Sequence, residues 1–191
     1  MFMNFASRRS RVWRFSAAVL ALLVFSLTDM SCTKSSRYSD ESFYEDVAWG
    51  IMTGLVDIYN QNIAGTPTGP VDLIASGPFG GTVHITGTTS YDQGNGIETV
   101  HLQYDMSNCQ ISSTSSSSNL NVDLTLNGII SEDGTWSSTY VSLSYHSPAL
   151  RLDGSSQRGS KQRDVSDATE FKANRTSSGT SAELFGFKVS W

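Results

Sequence analysis

The chain is poor in the residues that usually mark specialised chemistry. Of 191 residues, two are cysteine, four are proline and three are histidine. Two cysteines, Cys32 and Cys109, exclude a disulfide-dense scaffold and a Cys-rich zinc site. Charged residues make up only 16% and the net charge is −5, which argues against a nucleic-acid-binding surface. The main apolar run, residues 15–27, has 13 residues, short of the roughly 20 that a membrane-spanning helix needs. A Gly-x-Ser-x-Gly elbow, a phosphate loop, a Gly-x-Gly-x-x-Gly turn and Cys/His metal spacing are all missing. No catalytic constellation is visible, so the chain is not expected to be an enzyme, and neither cofactor nor metal is expected.

What is abundant is Ser and Thr, 32 and 17 residues, together with 16 Gly. That composition suits strands and turns rather than a helical bundle. At this length one domain with a sizeable core is expected.

The first 14 residues carry Arg8, Arg9, Arg11 and Arg14 and no acid, and the apolar run follows directly. A basic segment before a short apolar one is the pattern of an export signal, expected here over residues 1–31. Ser7-Arg8-Arg9-Ser10 resembles the start of a twin-arginine signal, but Arg11 and Val12 stand where an aromatic residue or Leu belongs. Cys32 lies just after the run, behind the small Ser31 and ahead of a polar tether expected over 32–40. In this context Ser31-Cys32 resembles a bacterial lipoprotein signal, although Asp29 and Met30 stand where that signal has Leu and a small residue. The resemblance implies that Cys32 is the acyl-accepting new N-terminus. A Cys32–Cys109 disulfide is the competing reading, and the two exclude each other. Residues 32–191 hold nine Lys/Arg against 17 Asp/Glu, a net charge of −8. Such a surface does not adhere to anionic lipid, so membrane attachment would depend on the acyl chains, palmitate among them.

From Glu41 a helical period runs through Phe43, Val47, Ile51, Leu55 and Ile58. Asp40, Glu41, Glu45 and Asp46 favour its start, and Ser42 with Glu45 fits a capping box. Gly65 and Pro67 end it, while Gly50 and Gly54 weaken it, so it needs a surface to pack on. After Pro70 the period becomes 2. Apolar rows run through Val71–Leu73, Val83–Ile85, Val100–Met106, Leu120–Ile130, Val141–Tyr145, Leu150–Leu152 and Phe185–Trp191. Turns are expected at Asp92–Gly96 and Glu132–Gly134, a flexible loop at Ser112–Ser118, and a polar loop at about 154–180 that either is a mobile insertion or hides a strand near Glu170–Ala173. The expected fold is mainly β, over residues 41–191: an antiparallel meander of about six to eight strands with one amphipathic helix on its apolar face.

Helix and strands together, with segments such as Gly81–Gly87 and Leu124–Gly128, make the chain similar to uncharacterised bacterial lipoproteins with a Ser/Thr/Gly-rich β-meander. The resemblance implies location and fold more than activity. It points to a membrane-tethered structural or interaction domain in the cell envelope, facing the periplasm or the cell surface. One alternative is a soluble periplasmic or secreted module that binds a small apolar ligand or polymer. Another is a small outer-membrane barrel, on the strength of the C-terminal Phe185-x-Phe187-x-Val189-x-Trp191.

Individual candidates are sparse. His84 and His101 are expected on one polar face, as cross-strand neighbours, with Asp105 or Asp123 as speculative third ligands; two solvated histidines are the plain reading. His146 falls at a strand end. The Asp92–Glu98 oxygens lack the spacing of a calcium loop. Gly154-Ser155-Ser156 reads as polar loop, and Asn174-Arg175-Thr176 is a glycosylation sequon only in a pathway that reads it.

Overall fold

The computed structural model describes residues 38–191. These form one helix, α1 (Asp40–Asn62), followed by eight strands: β1 (Gly69–Ser76), β2 (Thr82–Asp92), β3 (Ile97–Ser115), β4 (Leu120–Trp136), β5 (Val141–Arg158), β6 (Lys161–Thr176), β7 (Gly179–Leu184) and β8 (Phe187–Ser190). The strands make a single open antiparallel sheet in the order of the sequence, with α1 packed on one face. The expected class, a β-meander with one helix, is the observed one.

The helix starts where a side chain can cap it. Ser39 is the cap, its hydroxyl accepting from the Ser42 amide at 3.2 Å, so the Ser42–Glu45 box is not the device used. Tyr38 already belongs to the domain: its ring packs edge-on against Phe43 and its hydroxyl bonds to Asp46 and Ser156. Residues 38–40, expected to lie in a polar tether, are therefore part of the folded domain. At the other end the amides of Ile63 and Ala64 both donate to the Tyr59 carbonyl, closing the last turn.

Phe43, Val47, Ile51, Leu55 and Ile58 are all buried, as their spacing requires. Burying each contributes about 1.5–3 kcal/mol, enough to outweigh two helix glycines at about 1 kcal/mol each. The glycines are also where the helix touches the sheet. A β-carbon on Gly50 would lie 2.5 Å from Val122 Cγ1 on β4, and one on Gly54 would lie 2.6 Å from Ile111 Cγ2 on β3. The helix backbone thus rests directly on β-branched side chains.

The N-terminal half of α1 is held by ions. Asp46 is only 1% exposed and accepts from Arg158 Nε at 3.0 Å, from Arg158 Nη2 and from the Tyr38 hydroxyl. Arg163 bonds Asp40 at 2.7 Å and lies over the Phe43 ring. These arginines fall inside the 154–180 segment that its composition marks as a loop. The structure corrects that expectation: the segment is the end of β5, all of β6 and the start of β7. Its charges are not solvated at random, because several pair with α1 or across the ladder.

Two other turn assignments are corrected. Ser112–Ser115 continue β3, and the turn is confined to residues 116–119. Glu132–Gly134 lie inside β4, and the chain turns at 137–140. Gly134 has φ +144 in the strand, where a β-carbon would collide with the Ser142 carbonyl of β5. The C-terminal aromatic run is split as well, with Phe185 at φ +51 in the turn between β7 and β8.

Register breaks cross the middle of the sheet at Met106/Cys109, Asn127/Ser131 and Ser147/Leu150. Such bulges bend strands and increase twist. The inward-facing row of β3 changes from Val100, Leu102, Tyr104 and Met106 to Cys109 and Ile111 across the first of them.

The contact at Gly54 yields a test. In an open helix Gly54→Ala would gain about 1 kcal/mol of propensity. Here it should instead lower stability in urea unfolding, by about 1–2 kcal/mol net, because a crowded methyl meets a stiff Ile111. Ile111→Val should recover part of the loss in the double variant.

Candidate binding cavity

The inward row of β4 continues past Ile130 to Glu132, a carboxylate on the apolar face and 4% exposed. The register supplies its partners. Tyr145 on β5 is the residue directly opposite and its hydroxyl donates to Glu132 Oε1 at 2.8 Å. Tyr104 on β3 is opposite Ile130, one diagonal step away, and its hydroxyl donates to Oε2. Each carboxylate oxygen therefore receives one phenol. Both tyrosines are buried.

Burial pushes the Glu132 carboxyl above its ordinary range. The two phenol hydrogen bonds and the charge of Arg175 pull the other way and lose. Tyr104 and Tyr145 are held well above the usual phenol range, first by burial and then by the neighbouring Glu132. Closer to the helix, the Tyr59 hydroxyl donates to Glu98, and the Tyr59 ring meets Trp136 edge-on at 6.4 Å.

Between this cluster and the C-terminal half of α1 lies a cavity of about 240 Å³. Leu55, Val56 and Tyr59 form its helix wall. Trp136, Val141 and Leu143 form much of its sheet wall, with Glu132 and Tyr145 also reaching it. Arg175, near the end of β6, also lines it and is partly exposed. Among the described residues the Arg175 guanidinium makes no hydrogen bond or ion pair. A hollow of about 390 Å³ beside Trp191 is larger but shallow, lined by small polar residues and without a charged group. The chemistry is concentrated at the smaller cavity.

The candidates read from sequence fall elsewhere. Cys32 lies outside the described residues. Cys109 is fully buried in β3, and burial pushes its thiol up to about 11, which suppresses the reactive thiolate. His84 and His101 do share the outward face, but they are not cross-strand neighbours. His84 is opposite Asp105 and His101 is opposite Thr88, four residues further along β2, about 13 Å at strand rise. Each histidine has its own carboxylate: His84 with Asp72 at 2.7 Å, His101 with Asp133 at 2.8 Å, His146 with Glu170 at 3.2 Å. Lys172 shares that Glu170.

Asp123 is held by Ser112 and Asn121 instead of facing a histidine. No group of three or more His, Cys, Asp or Glu suited to a metal occurs among the described residues. In the 92–98 turn, Asp92 and Asn95 accept from backbone amides, and Glu98 is taken by Tyr59. Ser156 is a buried strand residue bonded to Tyr38.

Sequence reasoning passed over Glu132 because Glu-Asp-Gly has the composition of a turn. The signal was nonetheless present: Glu132 keeps the parity of Leu120 through Ile130. A carboxylate in phase with an apolar row is a buried carboxylate in waiting. No family model matches the chain, and no curated protein or solved structure matches it either.

A raised Glu132 pKa means that the folded state keeps its proton to higher pH than the unfolded state. Its contribution is then full below the ordinary carboxylate value of 4.5 and is lost as pH rises through the folded value. Urea unfolding at pH 4 and pH 8 should show wild type losing more stability over that interval than Glu132→Gln. Equal losses would place Glu132 at an ordinary pKa.

Proposed function

We propose that this chain is an exported bacterial lipoprotein, fastened to a membrane through acyl chains on Cys32, whose β domain acts as a structural or interaction module. The observation that carries the reading is the adjacency of three features. A basic and then apolar leader ends near Cys32, and a folded domain begins at Tyr38, only six residues later. Six residues reach at most about 21 Å, so an acylated Cys32 would keep the domain close to the bilayer surface. No helix among the described residues is long and apolar enough to cross a membrane. The net charge of −8 leaves attachment to the lipid rather than to the protein surface.

The form of the domain supports a tethered module over a barrel wall. The buried apolar rows of the sheet face α1, and the outward positions carry mostly Ser, Thr and charged side chains. β1 and β8 are the two edges of the sheet. A soluble binding module is the second reading, and the cavity beside Glu132 is the observation that favours it.

Metabolic labelling with a palmitate analogue tests the proposal. Wild type should carry label and sediment with membranes, whereas Cys32→Ala should carry none and appear in the soluble fraction. Label that survives the substitution would overturn the assignment of Cys32. Heat-modifiable gel mobility would point to a barrel instead.

A further inference from the structure

We propose that the cavity between α1 and strands β4–β6 is a binding site for a small amphiphilic carboxylate, with Arg175 as the group that receives the carboxylate and the helix–sheet walls receiving the apolar tail. The proposal deepens the binding reading given above and does not depend on the tether.

The first argument is charge that remains unpaired. Two side chains of acid or base type line the cavity, Glu132 and Arg175, and Glu98 is bonded to the lining Tyr59. Both carboxylates are already engaged by tyrosine hydroxyls, Glu132 by Tyr104 and Tyr145 and Glu98 by Tyr59. Arg175 alone has no hydrogen bond or ion pair among the described residues. A guanidinium carries five N–H donors in a planar fork that matches a carboxylate, and partial burial strengthens the attraction over that in water. The one charged side chain at the cavity without a hydrogen-bond partner is thus a cation, felt only at longer range by Glu132, so the site suits an anion rather than an amine. Desolvation of Glu132 favours its neutral form, which reduces its repulsion of an incoming carboxylate.

The second argument is shape. Leu55, Val56, Trp136, Val141 and Leu143 give the cavity an apolar lining on both the helix and the sheet side. About 240 Å³ accommodates a ring or a chain of roughly eight carbons with its head group at the mouth, but not a polymer or a long acyl chain. Arg175 is partly exposed while Glu132 is deep, so the head group would sit towards the mouth and the tail inwards. This polarity fits an organic carboxylate better than inorganic phosphate, which would leave the apolar walls uncovered.

The test is isothermal titration calorimetry on the exported, processed chain with octanoate, octylammonium and 1-octanol at one pH and ionic strength. Octanoate should bind at one per chain and more tightly than either of the others. Arg175→Gln should weaken octanoate at least tenfold while leaving 1-octanol within about twofold. Arg175→Lys, which keeps the charge without the fork, should fall between, and it serves as the reading if Arg175→Gln fails to fold by circular dichroism. Leu143→Trp, which fills the cavity, should abolish binding of all three. Cys32→Ala should bind octanoate as wild type does, so that loss of the tether and loss of the ligand site are separable. Octylammonium binding more tightly than octanoate, unchanged octanoate affinity in Arg175→Gln, or no binding of any probe to wild type would each overturn the proposal.

Discussion

The structure depends on how closely one helix backbone approaches the sheet. At Gly50 and Gly54 the space a side chain would need is taken by Val122 and Ile111. Any residue with a β-carbon there would push α1 outwards, thinning the contacts made by Ile51, Leu55 and Ile58 together. Two residues that look like weaknesses in a helix are therefore the condition for its packing. The cost in propensity is small and local, whereas the apolar burial it permits is distributed along the whole helix.

Close packing along the centre places the polar problems at the two ends, and the two ends solve them differently. Near the start of α1, the buried Asp46 is given a guanidinium and a phenol, which ties the helix to the far end of β5. Near its C-terminal half, the buried Glu132 belongs to the sheet and receives two phenols from the flanking strands. The phenols favour the charged form of Glu132 only weakly, and burial prevails. The first arrangement anchors. The second lets the neighbouring cavity keep an arginine that is not consumed by its nearest acid.

Much of the architecture was legible because each element repeats one signal. Phe43 to Ile58 hold a helical period, and Leu120 to Leu126 alternate without interruption. Legibility failed where the repeat is broken or sparse. At the bulge between Met106 and Cys109 the inward row of β3 changes parity, which hides Ile111 and Ser113 behind a Ser/Thr tract. β6 buries Val165, Phe171 and Ala173 in sixteen residues, too few to stand out among its charges. The cavity was the least legible part of all. It joins Leu55, Trp136, Leu143 and Arg175, which lie on four different elements, and no local pattern brings them together. Only the register, which sets Tyr145 opposite Glu132, makes the cluster visible.

The order of the chain has its own consequence. Every strand pairs with its immediate successor, so the ladder is assembled from neighbours and loop-closure costs stay modest. The helix is different, since among the described elements it comes first and finds part of its cover last: Tyr44 stacks on Phe187 and lies against Phe185. Hairpins can zip in sequence, yet the helix stays partly uncovered until the final strands arrive. Completion of the domain over residues 38–191 thus joins its helix to its last strand, and the late-arriving aromatic pair acts as the clasp.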